Sequence, residues 1–334
     1  MFFGLFYPNL SPTKRGTPEV YKKSCWGSLH KRISIEPTEV LSRLILLSTF
    51  VVLDMTVDKL LFLRSVFTIT IMAFCSSQLL ENMCEQSQML LNITEYSALH
   101  DFFSSTNGIN WKWKNESLFG PKWNFTTCSD PCGNKKWQGL VCTTNNASIS
   151  NFSLSGYGLM GTIPMSLSSF KSMANFTVFN NSLKGNFIPS VFPSTSTLKY
   201  IDLSSNFFEG NLTFTSRLSD LTSLKLSKNR FSDKFPETIT VVSNLQTLDL
   251  AYNMLNGPVW TLENTFKFLT SLKTLNLGYN SFSGSVPLTA LTFATKLEKL
   301  YLNENRFTGS IPSSISNFKS LGLLVLRGNR YSPK

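Results

Sequence analysis

Histidine is scarce in this sequence, whose 334 residues include only two. His30 lies in a segment that we expect to be absent from the mature protein, and His100 has no paired nucleophile near it. Acidic residues are scattered, and there is no phosphate-binding loop, zinc-protease helix or nucleophile elbow. These absences argue against an enzyme, and we expect no cofactor and no metal site.

Negative charge is also in short supply, since 20 Asp and Glu oppose 31 Lys and Arg, for a formal net charge of +11. The excess is spread along the chain without a run of like charges. This spreading indicates a solvated surface that is suited only weakly to anionic polysaccharide or phospholipid headgroups. We expect no nucleic-acid partner.

Long apolar runs are missing as well. The apolar run 44–53 has only about half the length that a membrane-spanning helix needs. It ends a segment, 1–54, that mixes prolines with paired Lys and Arg. We interpret 1–54 as an upstream extension that is either disordered or the product of a misassigned start codon.

Residues 55–77 have the layout of a secretory signal peptide. Lys59 and Arg64 form a basic flank, an apolar run follows, and small residues suited to cleavage end the segment. We therefore predict translation from Met55 and a mature chain that begins near Gln78. The alternative is an uncleaved signal-anchor helix made from both apolar runs, although several charges lie between them.

One sequence motif recurs through the rest of the chain at intervals of 23 to 27 residues. It is clearest at 297–312, which reads L-x-x-L-x-L-x-x-N up to Asn305. This pattern and period indicate leucine-rich repeats, and we expect about eight of them over 149–334, the last one truncated. The asparagine position is occupied by Asn181, Asn206, Asn229, Asn253, Asn280, Asn305 and Asn329, with Tyr157 in its place in the first copy.

Each repeat should contribute one strand with its apolar residues facing inward, because side chains alternate along L-x-L. A single strand cannot bury that face alone, so neighbouring repeats must complete the core. The asparagine amide can both donate and accept, and we expect it to satisfy backbone groups of the buried turn. The next apolar residue, such as Phe282 or Phe307, should fill the core after the turn.

The second half of each repeat reads Gly-x-Ile-Pro or a variant of it, as at 161–164, 284–287 and 309–312. Glycine permits the bend, and proline suits an extended segment. This form resembles the plant-type leucine-rich repeat of receptor-like kinases, receptor-like proteins and polygalacturonase-inhibiting proteins. The resemblance implies an α/β repeat fold: a right-handed, horseshoe-shaped solenoid with a parallel β-sheet on its concave side and an N-terminal helical, disulfide-bonded cap.

Three repeats depart from this form. Asp233 replaces the glycine in one, Gly257 is followed directly by Pro258 in another, and 186–188 carries one extra residue in a third. We expect these departures to change the local loop and to leave the fold intact.

Residues 78–148 resemble the cap that precedes such repeats. Thr94 is a candidate helix N-cap, with Glu95 in the first turn, and the apolar spacing that follows predicts a helix ending at Asn107. The segment 137–142, Trp-Gln-Gly-Leu-Val-Cys, resembles the family signature W-x-G-V-x-C. A bulky cap would cover the core leucines at the open end of the solenoid.

Four cysteines follow the predicted cleavage site, and four cysteines allow three pairings. A zinc site is disfavoured, because the spacing is not C-x-x-C and a secreted protein meets oxidising conditions. The family resemblance implies the disulfides Cys84–Cys128 and Cys132–Cys142.

Eight N-x-S/T sequons lie between the cleavage site and residue 212, and none follows. This clustering favours a glycosylated extracellular protein. We expect three of them on strand positions of the concave face, Asn151, Asn175 and Asn180, where glycans would direct ligand binding toward the later repeats. The candidate sites are Asn92, Asn115, Asn124, Asn146, Asn151, Asn175, Asn180 and Asn211.

The concave sheet is the usual binding surface of a repeat protein, because its outward side chains are not needed in the core. Positions flanking the L-x-L pairs combine tyrosines, which offer large rigid contact areas, with charges of both signs. The alternative is an ordinary hydrated surface. The candidate ligand-face residues are Tyr200, Asp202, Lys225, Lys228, Asp249, Tyr252, Asn276, Tyr279, Tyr301 and Glu304.

These features favour a secreted or cell-surface module that recognises a protein, peptide or cell-wall glycan ligand without catalysis. It looks like the ectodomain of a receptor-like protein or kinase, whose partners could include a co-receptor. We expect contact with a membrane only through a missing C-terminal segment or an uncleaved signal anchor. The alternative is a secreted inhibitor of an extracellular hydrolase such as a polygalacturonase.

Overall fold

The computed structural model describes residues 90–126, 129–193, 197–259, 265–286 and 293–311, together with 291, 313, 315 and 318–332. The predicted upstream extension, the signal peptide, Cys84 and Cys128 lie outside these residues. Among the described helices, none combines the length and the apolar character that crossing a bilayer requires.

In the described part of the chain, nine strands form one sheet, called here the front sheet, which the L-x-L segments build as predicted. The first strand belongs to the cap and pairs antiparallel with the second, whereas the later neighbours are parallel because each repeat returns the chain to the same position. The strands are β1 (Leu140–Cys142), β2 (Ile149–Ser153), β4 (Asn175–Thr177), β6 (Tyr200–Asp202), β8 (Ser223–Lys225), β10 (Thr247–Asp249), β12 (Thr274–Asn276), β14 (Lys299–Tyr301) and β16 (Leu323–Val325).

The segments after the asparagines form a second parallel sheet, the back sheet, which the sequence pattern did not predict as a sheet. Short 3-10 helices follow most of its strands: Met165–Ser169, Pro189–Val191, Ser216–Leu218, Glu237–Val241 and Thr265–Phe268. The back strands are β3 (Met160–Gly161), β5 (Ser182–Asn186), β7 (Phe207–Gly210), β9 (Arg230–Lys234), β11 (Met254–Pro258), β13 (Ser281–Ser285), β15 (Arg306–Gly309) and β17 (Arg330–Tyr331).

The repeat asparagines join consecutive repeats. The Nδ2 atom of Asn229 donates to the carbonyl of Leu203 in the preceding repeat at 3.0 Å and to that of Leu226 in its own repeat at 3.1 Å. Its Oδ1 atom accepts from the backbone N–H of Phe208, again in the preceding repeat, at 2.9 Å. The predicted role is confirmed, and the satisfied groups belong to two repeats rather than one. The same set of bonds is made by Asn181, Asn206, Asn253, Asn280, Asn305 and Asn329.

The apolar residue after each turn fills the core, as predicted. These side chains are at most 2% exposed, and they stack along the solenoid: the rings of Phe208 and Phe231 are 6.5 Å apart, and those of Phe282 and Phe307 are 6.4 Å apart. The set is Leu183, Phe208, Phe231, Leu255, Phe282 and Phe307.

The irregular repeats keep the fold, as expected. Asp233 takes the left-handed conformation of the glycine that it replaces, with φ of 74°. Its carboxylate accepts from the N–H of Lys234 at 2.9 Å, a local bond of the kind that lets aspartate visit this region. The longer turn at 186–188 borders an apolar cavity of about 270 Å³ that is lined in part by Phe187 and Phe192.

The cap opens with helix α1 (Ile93–Ser105), whose N-cap is Asn92. The Oδ1 atom of Asn92 accepts from the N–H of Thr94 at 2.8 Å, so the prediction that Thr94 is the N-cap was wrong. Asparagine is at least as good a cap as threonine, and the helix therefore starts earlier. After α1, Asn107 adopts a left-handed φ of 60°, and the 3-10 helix Gly108–Asn110 and the short helix α2 (Glu116–Phe119) follow.

Aromatic side chains of the cap cover the first repeat. Trp123 and Trp137 are at most 5% exposed, and the rings of Trp123 and Phe102 lie 5.8 Å and 4.7 Å from the ring of Phe152 on β2. A disulfide joins Cys132 to Cys142, with Cα atoms 5.9 Å apart. The cap therefore closes the core at the start of the repeats.

Glu95 is an unusual member of this junction, because this acidic residue is only 2% exposed. Its Oε2 atom accepts from the N–H of Ile149 on β2 at 2.7 Å, which ties α1 to the first repeat. Burial raises the pKa of Glu95, although hydrogen bonds from Ile149 and Ser148 act in the opposite direction.

The asparagine bonds generate the first prediction. Asn229→Ala removes the partner of three backbone groups, so we expect the free energy of unfolding to fall by about 3 kcal/mol, the upper end of the cost of one unsatisfied buried group. Urea unfolding followed by circular dichroism measures it. Asn256→Ala on the exposed surface of β11 is the control and should change stability by no more than about 0.5 kcal/mol. Equal losses in the two variants would contradict the assigned role.

Glu95 generates the second prediction. Because its pKa is raised on folding, the stability that protonated Glu95 contributes is complete below its ordinary value of 4.5 and is lost as pH rises through the folded value. Glu95→Gln keeps an acceptor oxygen for Ile149 but cannot titrate. The stability of the unmutated protein relative to the variant should therefore decline as pH rises above about 4.5.

The measurement is the Tm of both proteins from about pH 4 to about pH 8. Glu209→Gln, at an exposed position of β7, is the matched control, because it also replaces one glutamate but lies away from the junction of cap and repeats. A Glu95→Gln difference that stays constant across the range would show that burial does not perturb this carboxyl group.

Candidate ligand-binding face

Two sets of residues are available for contact with a ligand, one on the front sheet and one just beyond its strands. The first, called here the front face, consists of the residues of the front strands that alternate with the core leucines. The second, called the edge row, consists of the residue immediately before each repeat asparagine, and every member has a left-handed φ of 52° to 74°. The edge row contains Gly156, Asn180, Ser205, Lys228, Tyr252, Tyr279, Glu304 and Gly328.

The predicted ligand-face residues divide between these two sets. Lys228, Tyr252, Tyr279 and Glu304 belong to the edge row, because the strands end before them. Asn180 also lies there, so the prediction that it occupies a strand was wrong. The other predicted residues lie on front strands: Tyr200, Asp202, Lys225, Asp249, Asn276 and Tyr301.

Tyr252 and Tyr279 form a stacked pair on the edge row. Their ring centroids are 3.9 Å apart and their planes differ by 10°. The stack follows from the repeat: both residues hold the same turn position with φ of 54° and 55°, and the N–H of Asn253 donates to the carbonyl of Tyr279 at 3.2 Å. A hydrogen bond to the Tyr279 hydroxyl also raises the pKa of Tyr252.

Two cations lie beside this pair. The Nζ atom of Lys228 is 5.7 Å from the ring centroid of Tyr252, within cation–π range. A guanidinium nitrogen of Arg327 donates to the hydroxyl of Tyr279 at 3.2 Å. Among the described residues, neither cation has a carboxylate within 4.0 Å. The pair and its flanking charges therefore form an exposed aromatic and cationic surface.

Arg327 was not among the predicted residues. It lies two positions before Asn329, where the three preceding repeats carry Ala251, Gly278 and Asn303, so the pattern gave no reason to expect a long side chain there. The Arg327 side chain extends across the intervening repeat to Tyr279. Arg327 could have been identified from the sequence only by comparing the residue two positions before the asparagine in every repeat.

A row of alternating charge crosses the middle of the front face. The parallel register places Lys225 between Asp202 and Asp249 on adjacent strands. The hydroxyl of Tyr200 donates to Asp202 Oδ2 at 3.1 Å, and Lys225 Nζ lies 5.4 Å from the Tyr200 ring centroid. Hydrogen bonding to Tyr200 raises the pKa of Lys225, and burial raises the pKa of Asp249.

This charged row is largely satisfied within the protein. Asp202 is 6% exposed and also accepts from the N–H of Ser204 at 3.0 Å. Asp249 accepts from the N–H of Ala251 at 3.1 Å. Tyr252, by contrast, is 46% exposed. The edge row is therefore freer to contact a ligand than the charged row is.

The sequons lie on two parts of the molecule. Asn151 and Asn175 are opposite each other on β2 and β4, and the Nδ2 atom of Asn175 donates to Asn151 Oδ1 at 2.9 Å. Asn180 is exposed on the edge row of the same region, and Asn211 follows β7. The sequons in the cap are Asn92, Asn115, Asn124 and Asn146.

Comparison with known proteins also identifies leucine-rich repeats in this chain. The Leucine Rich Repeat family model matches residues 271–290 and 296–318. Receptor-like protein 7 of Arabidopsis thaliana is 36% identical over 111 residues, which are 33% of this chain and 11% of that protein. Receptor-like protein 32 of the same species is 35% identical over 131 residues, which are 36% of this chain and 15% of that protein. The chain thus spans only a small part of these relatives.

Solved structures provide similar folds. A plant peptide hormone receptor, RGFR1 in complex with RGF2, is 29% identical with a TM-score of 0.51, over 56% of this chain and 30% of that chain. The PEPR1–AtPEP1 structure has a TM-score of 0.55 at 23% identity, over 70% of this chain and 31% of that chain, and supports the fold alone. With its two sheets, its asparagine bonds and its cap, the chain has a leucine-rich-repeat fold, and part of it is similar to plant receptor-like proteins.

Proposed function

We propose that this chain is a non-catalytic extracellular recognition module that binds a peptide or protein ligand through the edge row and the adjoining front face. The relatives are named receptor-like proteins, and one solved structure of similar fold is a peptide hormone receptor in complex with its ligand. A surface made of repeated turns suits an extended ligand, because it offers equivalent positions at regular intervals.

The stacked tyrosines are the main observation that supports this proposal. Left-handed backbone costs about 1–3 kcal/mol for a residue other than glycine, and such strain tends to collect at functional sites. The edge row uses glycine, asparagine or serine in several repeats, yet Tyr252 and Tyr279 place two bulky rings there in succession. Tyrosine is enriched where proteins bind each other.

The sequons support the choice of the later repeats. Asn151, Asn175 and Asn180 all lie on the front side of the early repeats, whereas no sequon follows Asn211. Glycans at these three sites would crowd the early front face. The surface around Tyr252 and Tyr279 would then be the part left open to a ligand.

The third prediction uses a random peptide library displayed on phage and selected on the purified full chain. Peptides that are enriched should bind at least about tenfold more weakly to the double variant Tyr252→Ala, Tyr279→Ala, since an aromatic anchor at an interface contributes roughly 2 kcal/mol. Affinity is measured by surface plasmon resonance with synthetic copies of the selected peptides.

A second double variant, Phe207→Ala with Met254→Ala, is the matched control. It also removes two exposed apolar side chains, 43% and 53% exposed, but from the back sheet. Its affinity for the selected peptides should equal that of the unmutated chain. Selected peptides that bind the tyrosine variant as tightly as the unmutated chain, or that lose affinity only for the back-sheet variant, would refute the proposed face.

A further inference from the structure

Tyr252 and Tyr279 are arranged as partners for a reaction with each other as well as for contact with a ligand. Their rings are nearly parallel at a centroid distance of 3.9 Å, and hydrogen bonding to Tyr279 raises the pKa of Tyr252. Nearly parallel rings at this distance bring carbon atoms of the two phenols close together. We infer that this pair is a site of oxidative cross-linking, at which a haem peroxidase and hydrogen peroxide join the two side chains as dityrosine.

The repeat backbone sets this geometry before any oxidation. The Tyr252 N–H donates to the carbonyl of Gly278 at 3.0 Å, and the Asn253 N–H donates to the carbonyl of Tyr279 at 3.2 Å. These bonds join the two turns, so both Cα–Cβ bonds leave the backbone in the same direction. The rings therefore need little rearrangement to react, which favours an intramolecular coupling over one between molecules.

The surroundings also suit the reaction. Tyr252 is 46% exposed, so a small oxidant or the edge of a peroxidase can reach it. Arg327 donates to the hydroxyl of Tyr279, and its positive charge stabilises a phenol oxygen that is losing its proton. No other pair of tyrosine rings is in contact among the residues that the structure describes.

The reaction balances with one molecule of hydrogen peroxide. Each phenol gives up one electron and its hydroxyl proton, and the two phenoxyl radicals couple through the ring carbons adjacent to oxygen. Each coupled carbon then returns its hydrogen to its own phenol oxygen. The peroxide takes up the two electrons and two protons and leaves as two water molecules, so the protein loses two hydrogen atoms and gains one carbon–carbon bond.

The fourth prediction tests this site on the purified full chain, treated with a haem peroxidase and an equimolar amount of hydrogen peroxide. Trypsin should place Tyr252 and Tyr279 on the peptides 235–267 and 274–296, each of which contains a single tyrosine. Mass spectrometry is expected to find these two peptides joined, at their summed mass less two hydrogen atoms. Dityrosine fluorescence should appear in protein that still migrates as a monomer on a denaturing gel.

Three conservative variants complete the test. Tyr252→Phe and Tyr279→Phe keep the ring but cannot form a phenoxyl radical, so each should abolish the joined peptides and the fluorescence. Tyr301→Phe, on β14 of the front sheet, is the matched control and should leave both signals unchanged. The inference fails if the joined peptides are absent from the oxidised chain, if they persist in either edge-row variant, or if the fluorescence arises only in cross-linked dimers.

Discussion

The hydrogen bonds of the repeat asparagines are the constraint on which the remaining structure depends. Each amide holds a backbone N–H and a carbonyl of the preceding repeat and a carbonyl of its own, so a turn that lacks helix and sheet bonds is still satisfied. One side chain thereby fixes the distance and the register between neighbours. Where Tyr157 replaces the first asparagine, it is buried beside the cap, and burial raises its pKa.

The same constraint creates the proposed binding surface. To place the asparagine amide against two repeats, the chain turns through a left-handed residue just before it, and this produces the edge row. Every side chain on that row leaves an equivalent position, so neighbours such as Tyr252 and Tyr279 stack. The asparagine that supports the fold is therefore kept in successive repeats, while the residue before it changes and gives each repeat a different surface.

Much of the fold could be predicted because the residues that determine it recur at the same positions in every repeat. The spacing of Leu297, Leu300 and Leu302 fixes a strand, and the asparagine that follows fixes a turn. The back sheet could not be predicted, because its pairing depends on the turns being aligned first. The helix start was missed by the choice of Thr94 over Asn92, since both residues are good caps and one sequence does not decide between them.

Less of the candidate site could be predicted. The sequence identified tyrosines and charged residues near the strands, but not which of them are free to contact a ligand. Asp202 is hydrogen-bonded to Tyr200 and Ser204, whereas Arg327 crosses a repeat to reach Tyr279.

Amide hydrogen exchange tests most directly the claim that the repeat asparagines hold neighbouring repeats together. The amides of Phe208, Phe231 and Phe282, which donate to asparagines of the next repeat, should exchange as slowly as front-strand amides. Exchange as fast as that of exposed loop amides would contradict the account.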